Sequence, residues 1–165
     1  MLHKYPLTVK MITSGVLFGV GDVICQGIEQ SKKEKLTLDL KRLARFSFFG
    51  CFMAAPVLSF HYGTILQWVS TKTTPLATLL KVTVDQTLFA PFFLTYIFIT
   101  LPLMEGKTLE DGKKSVKEKL WPSLLVNWKI WPLVQFLNFS LIPVRYHLLV
   151  VNSVAVWWNA YISWM

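Results

Sequence analysis

From Leu148 to Trp164 the chain runs L-L-V-V-N-S-V-A-V-W-W-N-A-Y-I-S-W without one formal charge. At 1.5 Å per residue such a run crosses most of a bilayer's hydrocarbon core, and inside lipid every backbone polar group must be satisfied within the chain. That restricts the segment to a helix and makes the chain a membrane protein. The composition agrees, with 53% hydrophobic residues, 15% aromatics and a positive mean hydropathy, all above a soluble domain of this size.

Charge-poor stretches of about 20 residues mark four candidate spans, at roughly 7–28, 46–69, 83–103 and 145–164. The first carries Lys10 near its start and Asp22 well inside; the second has Pro56 and His61; the third opens on Asp85-Gln86 and contains Pro91. Between the third and fourth lies the hydrophilic E-G-K-T-L-E-D-G-K-K-S-V-K-E-K-L, where Thr108 and Asp111 have capping-box spacing and Leu109, Val116 and Leu120 recur at helical spacing. This reads as a short amphipathic helix, lying on the membrane with its lysines toward lipid phosphates or simply solvated. The two Trp-Pro pairs at Trp121-Pro122 and Trp131-Pro132 suit new helix starts at headgroup level. Leu133–Ile142 is too short to span, and reads as an interfacial or re-entrant piece joined to the last helix at Pro143. The expected fold is all-α: one transmembrane domain over residues 1–165, a compact bundle of four spans plus the surface helix and the interfacial segment.

Loop charge orients such a bundle. Thirteen of the seventeen basic residues fall in the stretches 29–45 and 104–145, against Lys4, Lys10, Lys72 and Lys81 elsewhere. With four spans both basic stretches share one face and both termini lie opposite. The basic stretches suit anionic lipid, and no DNA or RNA module is present.

Gly15 and Gly19, with Gly21 beside them, form a G-x-x-x-G face that serves either the internal bundle or a homodimer. Asp22 and Gln26 lie four apart on one helical face. A carboxylate near mid-membrane costs about 3 kcal/mol, so Asp22 and Asp85 need a cation, for which Arg42, Arg45 and Arg145 are candidates, or a wet cavity. One reading makes these acids clamps between helices; the other makes a hydrophilic path lined by Asp22, Gln26, Asp85, Gln86, Gln135, Asn138 and Arg145, flexing around Pro56, Pro91 and Pro143. No zinc-protease, phosphate-loop or nucleophile-elbow motif occurs, and the histidines are scattered, so no enzyme activity, cofactor or metal is expected. Cys25 and Cys51 lack metal or redox spacing and would sense redox state only within disulfide reach of each other.

Four blocks occur in order: G-V-L-F-G-V-G-D-V-I-C-Q at 15–26, V-D-Q-T-L-F-A-P at 84–91, W-P-S-L-L-V-N-W-K-I-W-P-L-V-Q-F-L-N-F-S-L-I-P-V-R at 121–145 and W-N-A-Y-I-S-W at 158–164. Together they resemble the Mpv-seventeen and peroxisomal-membrane-protein-twenty-two family over essentially the whole chain, with M-E-G-K-T pointing to its fungal mitochondrial branch. The resemblance implies a four-span protein of the mitochondrial inner membrane, or alternatively the peroxisomal membrane. It implies a weakly selective channel for small solutes and metabolites, tied to organelle homeostasis and the stress response. The family's polar signature maps onto Asp22, Gln26, Asp85, Gln86, Asn127, Gln135, Asn138, Arg145 and Asn159. In the second span the sequence departs from the family pattern at Ala55, Ser59 and His61. The rival reading is a non-conducting structural or accessory subunit of a larger inner-membrane assembly.

Overall fold

The computed structural model describes residues 6–31 and 37–164, with side chains given for 7–31 and 37–158. All regular structure among the described residues is helical: α1 Pro6–Gln30, α2 Leu40–Val69, α3 Pro75–Met104, α4 Leu109–Leu141 and α5 His147–Trp164. By length and composition α1, α2 and α3 each suffice to cross a membrane. The single domain expected from the sequence contains two compact units, one formed by the chain up to Tyr62 with the part from Arg145 onward, the other by Gly63–Val144. The helix α2 runs through the boundary.

The helix ends follow local chemistry. Asp39 caps α2 by accepting from the Arg42 amide at 2.9 Å, and the same bond holds the Asp39 carboxyl below the usual carboxylate range. Thr74 caps α3, with Pro75 at the first helical position where its missing N–H is harmless. At the end of α3 Gly106 takes a left-handed φ of 80°, which lets the Lys107 amide reach back to the Pro102 carbonyl at 3.0 Å. The capping box at Thr108 and Asp111 forms as the spacing predicts: the Thr108 amide donates to Asp111 Oδ2 at 2.9 Å and the Asp111 amide to Thr108 Oγ1 at 3.2 Å. The Thr108 hydroxyl also donates to Asp111 Oδ2 at 2.7 Å, and this bond first, then that of the Thr108 amide, holds the Asp111 carboxyl below the usual range, so the cap is intact at neutral pH and is lost only as pH falls through that lowered value.

The helices begin earlier than the charge-poor stretches suggest. The Asp39 cap starts α2 six residues before Phe46, and Thr74 starts α3 eight residues before Thr83, taking in Lys81. A larger difference lies in α4. Where the sequence suggests a surface helix followed by a separate interfacial piece, the structure has one helix of 33 residues passing through Pro122 and Pro132. A proline ring removes one intrahelical bond but does not end a helix whose flanks pack on a neighbour. This helix stops only at Ile142, extended ahead of Pro143.

Three stretches widen to i→i+5 turns: Phe49–Ala54 and His61–Ile65 in α2, and Asp85–Phe89 in α3. Two of them precede an Ala-Pro pair, Ala55-Pro56 and Ala90-Pro91, where a wider turn relieves the clash between the proline ring and the preceding carbonyl.

In the first unit α1 packs along the first half of α2 and along α5. A Cβ on Gly15 would stand 3.0 Å from Cys51 Cβ, one on Gly19 would stand 2.5 Å from Ser47 Oγ, and one on Gly50 would stand 2.7 Å from the Phe18 side chain. The Gly15–Gly19 face of α1 is thus filled by α2 of the same chain, and Gly21 is buried as well. In the second unit Gly112 brings α4 close to α3, its would-be Cβ 3.2 Å from Ile99 Cα.

Candidate functional site

Each unit holds a buried polar cluster built around one acid of its long helices. In the first unit Asp22 is fully enclosed. Its Oδ1 takes the Arg42 Nε at 2.7 Å and its Oδ2 accepts from Gln26 Nε2 at 2.7 Å. Gln26 completes a two-way clamp on the start of α2, accepting from the Asp39 amide at 2.7 Å and donating to the Asp39 carbonyl at 3.2 Å. Arg42 forks onward to Glu29 at 2.8 and 3.2 Å, lies 3.5 Å from Cys25 Sγ and stacks 5.8 Å from the Phe46 ring centre. Both carboxylate oxygens of Asp22 are occupied, which is how an intramembrane acid escapes its desolvation cost. Between the other faces, Asn152 Nδ2 donates to Ser14 Oγ, joining α5 to α1.

In the second unit Gln86 links three groups. Its Nε2 donates to Asp85 Oδ2 at 2.7 Å, its Oε1 accepts from Asn127 Nδ2 at 2.7 Å, and its backbone carbonyl accepts from Trp128 Nε1 at 3.1 Å. The last bond has a local cause. In the widened turn the Ala90 amide pairs with the Asp85 carbonyl, so the next donor in register for the Gln86 carbonyl would be residue 91, a proline without an N–H. The indole of α4 supplies it instead. Trp128→Phe should therefore cost about 1–2 kcal/mol, measured by denaturation in detergent, and less in a Pro91→Ala background where the missing N–H is restored.

Further along α4, Asn138 Nδ2 donates to Gln135 Oε1 at 3.2 Å. On α3 one turn before Asp85, Lys81 is buried and donates from Nζ to the Lys72 carbonyl at 3.0 Å. Thr78, Lys81 and Asp85 fall at i, i+3 and i+7, along one face of α3.

The anticipated polar residues thus fall into separate groups, Asp22 with Gln26, Asp85 with Gln86 and Asn127, and Gln135 with Asn138. Arg145 is a correction: expected among the buried polar groups, it is exposed on the single helical turn Val144–Tyr146, its guanidinium 4.8 Å over the Tyr146 ring. The chain has left α4 there, so no buried acid is within the same element to hold it. Pro56 and Pro91 sit just past widened turns and Pro143 in the link after α4. Asn159 lies on α5, but its side chain is outside the described residues. Cys51 lies against Gly15, ten residues or about 15 Å along α1 from Cys25, beyond disulfide reach. Lys81 was missed in the sequence, where its place four residues before Asp85, on one helical face, was the available signal; the Ser14–Asn152 bond, linking distant segments, left none. Among the described residues no three His, Cys, Asp or Glu side chains are placed to hold a metal ion.

A family profile described as "Mpv17 / PMP22 family" matches residues 102–163. Protein SYM1 of Saccharomyces cerevisiae is 36% identical over 167 residues, covering 99% of this chain and 85% of the relative. Peroxisomal membrane protein 2 of Bos taurus is 34% identical over 99% of this chain and 84% of its own length. Protein SYM1 of Gibberella zeae is 35% identical over 99% of this chain and 92% of its own. No solved structure matches the chain significantly.

Proposed function

Because the chain belongs to the Mpv17 / PMP22 family, we propose that it is a pore for small solutes and metabolites in the mitochondrial inner membrane, serving organelle homeostasis under stress. The peroxisomal membrane, which the bovine relative's name carries, is the alternative location. The observation that carries the pore reading is the set of buried polar side chains at membrane depth. A helix that only anchored the chain would not keep Lys81, Asp85, Gln86 and Asn127 away from lipid, since each is costly to bury. Several buried polar atoms, Thr78 Oγ1, Ser123 Oγ and Asn152 Oδ1, also have no protein partner, and water or a passing polar solute would satisfy them.

In this reading the two clusters divide the work. Asp22, Gln26 and Arg42 hold α1 to α2, while Lys81, Asp85, Gln86, Asn127, Gln135 and Asn138 face the solute. Pro91, next to the widened turn at Asp85–Phe89, is the hinge by which α3 flexes. The chemistry is binding and passage, not catalysis, with anionic lipid held at the basic stretches. A homo-oligomer would have to form through faces other than the glycine stripe, which α2 fills.

One observation favours the rival reading of a non-conducting accessory subunit: the tight ion pair of Asp22 with Arg42, which closes the space beside that acid. Current through purified protein in a planar bilayer separates the two, since an accessory subunit is silent however well it is folded.

A further inference from the structure

We infer that α4 also crosses the membrane, alongside α3, so that with α5 the chain makes five crossings, where by length and composition alone three helices, α1, α2 and α3, suffice to cross. The C-terminal end of α5 then comes to lie on the face that holds the basic stretches. This does not rest on the pore reading. It follows from three observations, each made within one unit.

In the second unit α3 and α4 are an antiparallel pair joined by the short turn at Glu105–Thr108. Gly112 meets Ile99 near the turn, and Asn127 bonds Gln86 further along. Gln86 lies eleven residues, about 17 Å, from the start of α3, near the middle of a bilayer that α3 spans. Asn127 shares that depth, and α4 runs another fourteen residues, about 21 Å, to Leu141. A helix that lay on the surface would have parted from α3 well before this point.

In the first unit, α2 leaves the basic stretch at Leu40 and reaches Tyr62 twenty-two residues later, about 33 Å away. There the His147 ring, at the start of α5, packs edge-on to Tyr62 with centroids 6.3 Å apart. Asn152, also near the start of α5, bonds Ser14 in the N-terminal half of α1. So α5 begins at the far end from the basic stretch, and the chain has to be carried there from the lysine-rich start of α4.

The surface of α4 fits lipid. Its amides Asn127, Gln135 and Asn138 are buried, while Leu125, Leu133, Leu137 and Leu141 are exposed, the reverse of a helix facing water. Lys129 is the exposed exception, with a stem long enough to carry its ammonium toward the headgroups. Charge asymmetry survives the change: eleven basic residues, at 32–45 and 107–119, stay on one face against six elsewhere.

The test is sidedness. Single cysteines are introduced as Leu38→Cys, Lys113→Cys and Val144→Cys in a Cys25→Ala, Cys51→Ala full-length chain, in sealed vesicles exposed to a membrane-impermeant maleimide before or after permeabilisation. Leu38→Cys and Lys113→Cys should label from the same side, and Val144→Cys only from the other. Labelling of Val144→Cys together with Lys113→Cys overturns the inference and returns α4 to the surface. Should the cysteine-depleted chain fold poorly, the same positions are read as labelling above that of the wild-type thiols, with the same two outcomes. Loss or gain of conduction has no bearing on either.

Discussion

Arg42→Ala should lower the stability of the detergent-solubilised chain by about 3 kcal/mol, the loss expected when one member of a buried ion pair is removed and the other stays. Asp22 has no exposed side-chain surface and Arg42 only 21%, so the remaining carboxylate cannot turn to water without opening α1 from α2. The same change frees Glu29, but that side chain is about a third exposed and loses little. The sign of the coupling is the check. In an Asp22→Asn background, where no charge is left buried, Arg42→Ala should cost markedly less, and chemical denaturation of the four combinations measures the difference. Equal costs in both backgrounds would mean that the pair does not hold the two helices.

The second large effect is steric. Gly50 lies under Phe18, and even the single carbon of Gly50→Ala would come within 2.7 Å of its Cβ and ring. Both residues are buried at the α1–α2 contact, so the helices must separate, at about 1–3 kcal/mol for alanine and more for leucine. Gly19→Leu should behave alike against Ser47. Gly27→Ala is the internal control: nothing lies within 4 Å of its would-be Cβ, so relief of backbone entropy in the helix should leave the chain unchanged or more stable by about 0.5–1 kcal/mol. Thermal unfolding across this set separates a packed glycine face from an unused one. A fall in oligomer size with unchanged stability for Gly19→Leu would instead assign that face to a second copy.

Much of this was readable in the sequence because the bilayer leaves few options. Uncharged runs had to be helices, and the acids within them had to be paired or wet. The Thr108–Asp111 cap was legible from spacing alone, and Arg42 stood among the few cations available to Asp22. What escaped notice did so for definable reasons. In α4 the residues Asn127, Lys129, Gln135 and Asn138 lower the hydropathy, and two Trp-Pro pairs look like breaks; only the packing on α3 shows that the amides face inward and the helix runs on. Lys81 fell outside a span drawn from its uncharged part, yet the Thr74 cap places it two turns inside α3. Arg145 entered the buried set as a candidate cation for the acids and through the family's polar signature, whereas the break at Pro143 puts it on an exposed turn. The bond from Asn152 to Ser14 spans most of the chain's length and is invisible to any local pattern.

The division of roles between the two acids gives the pore reading its most direct test. Purified protein in a planar bilayer is compared as wild type, Asp85→Asn and Asp22→Asn, under reducing and oxidising conditions and across a range of voltages. Discrete openings are expected, with ion selectivity altered by Asp85→Asn; Asp22→Asn should act on the stability of the folded chain and leave the selectivity of its openings unchanged. Silence of the wild type, in a preparation shown by its cooperative unfolding to be folded, would contradict the pore and leave the accessory-subunit reading in its place.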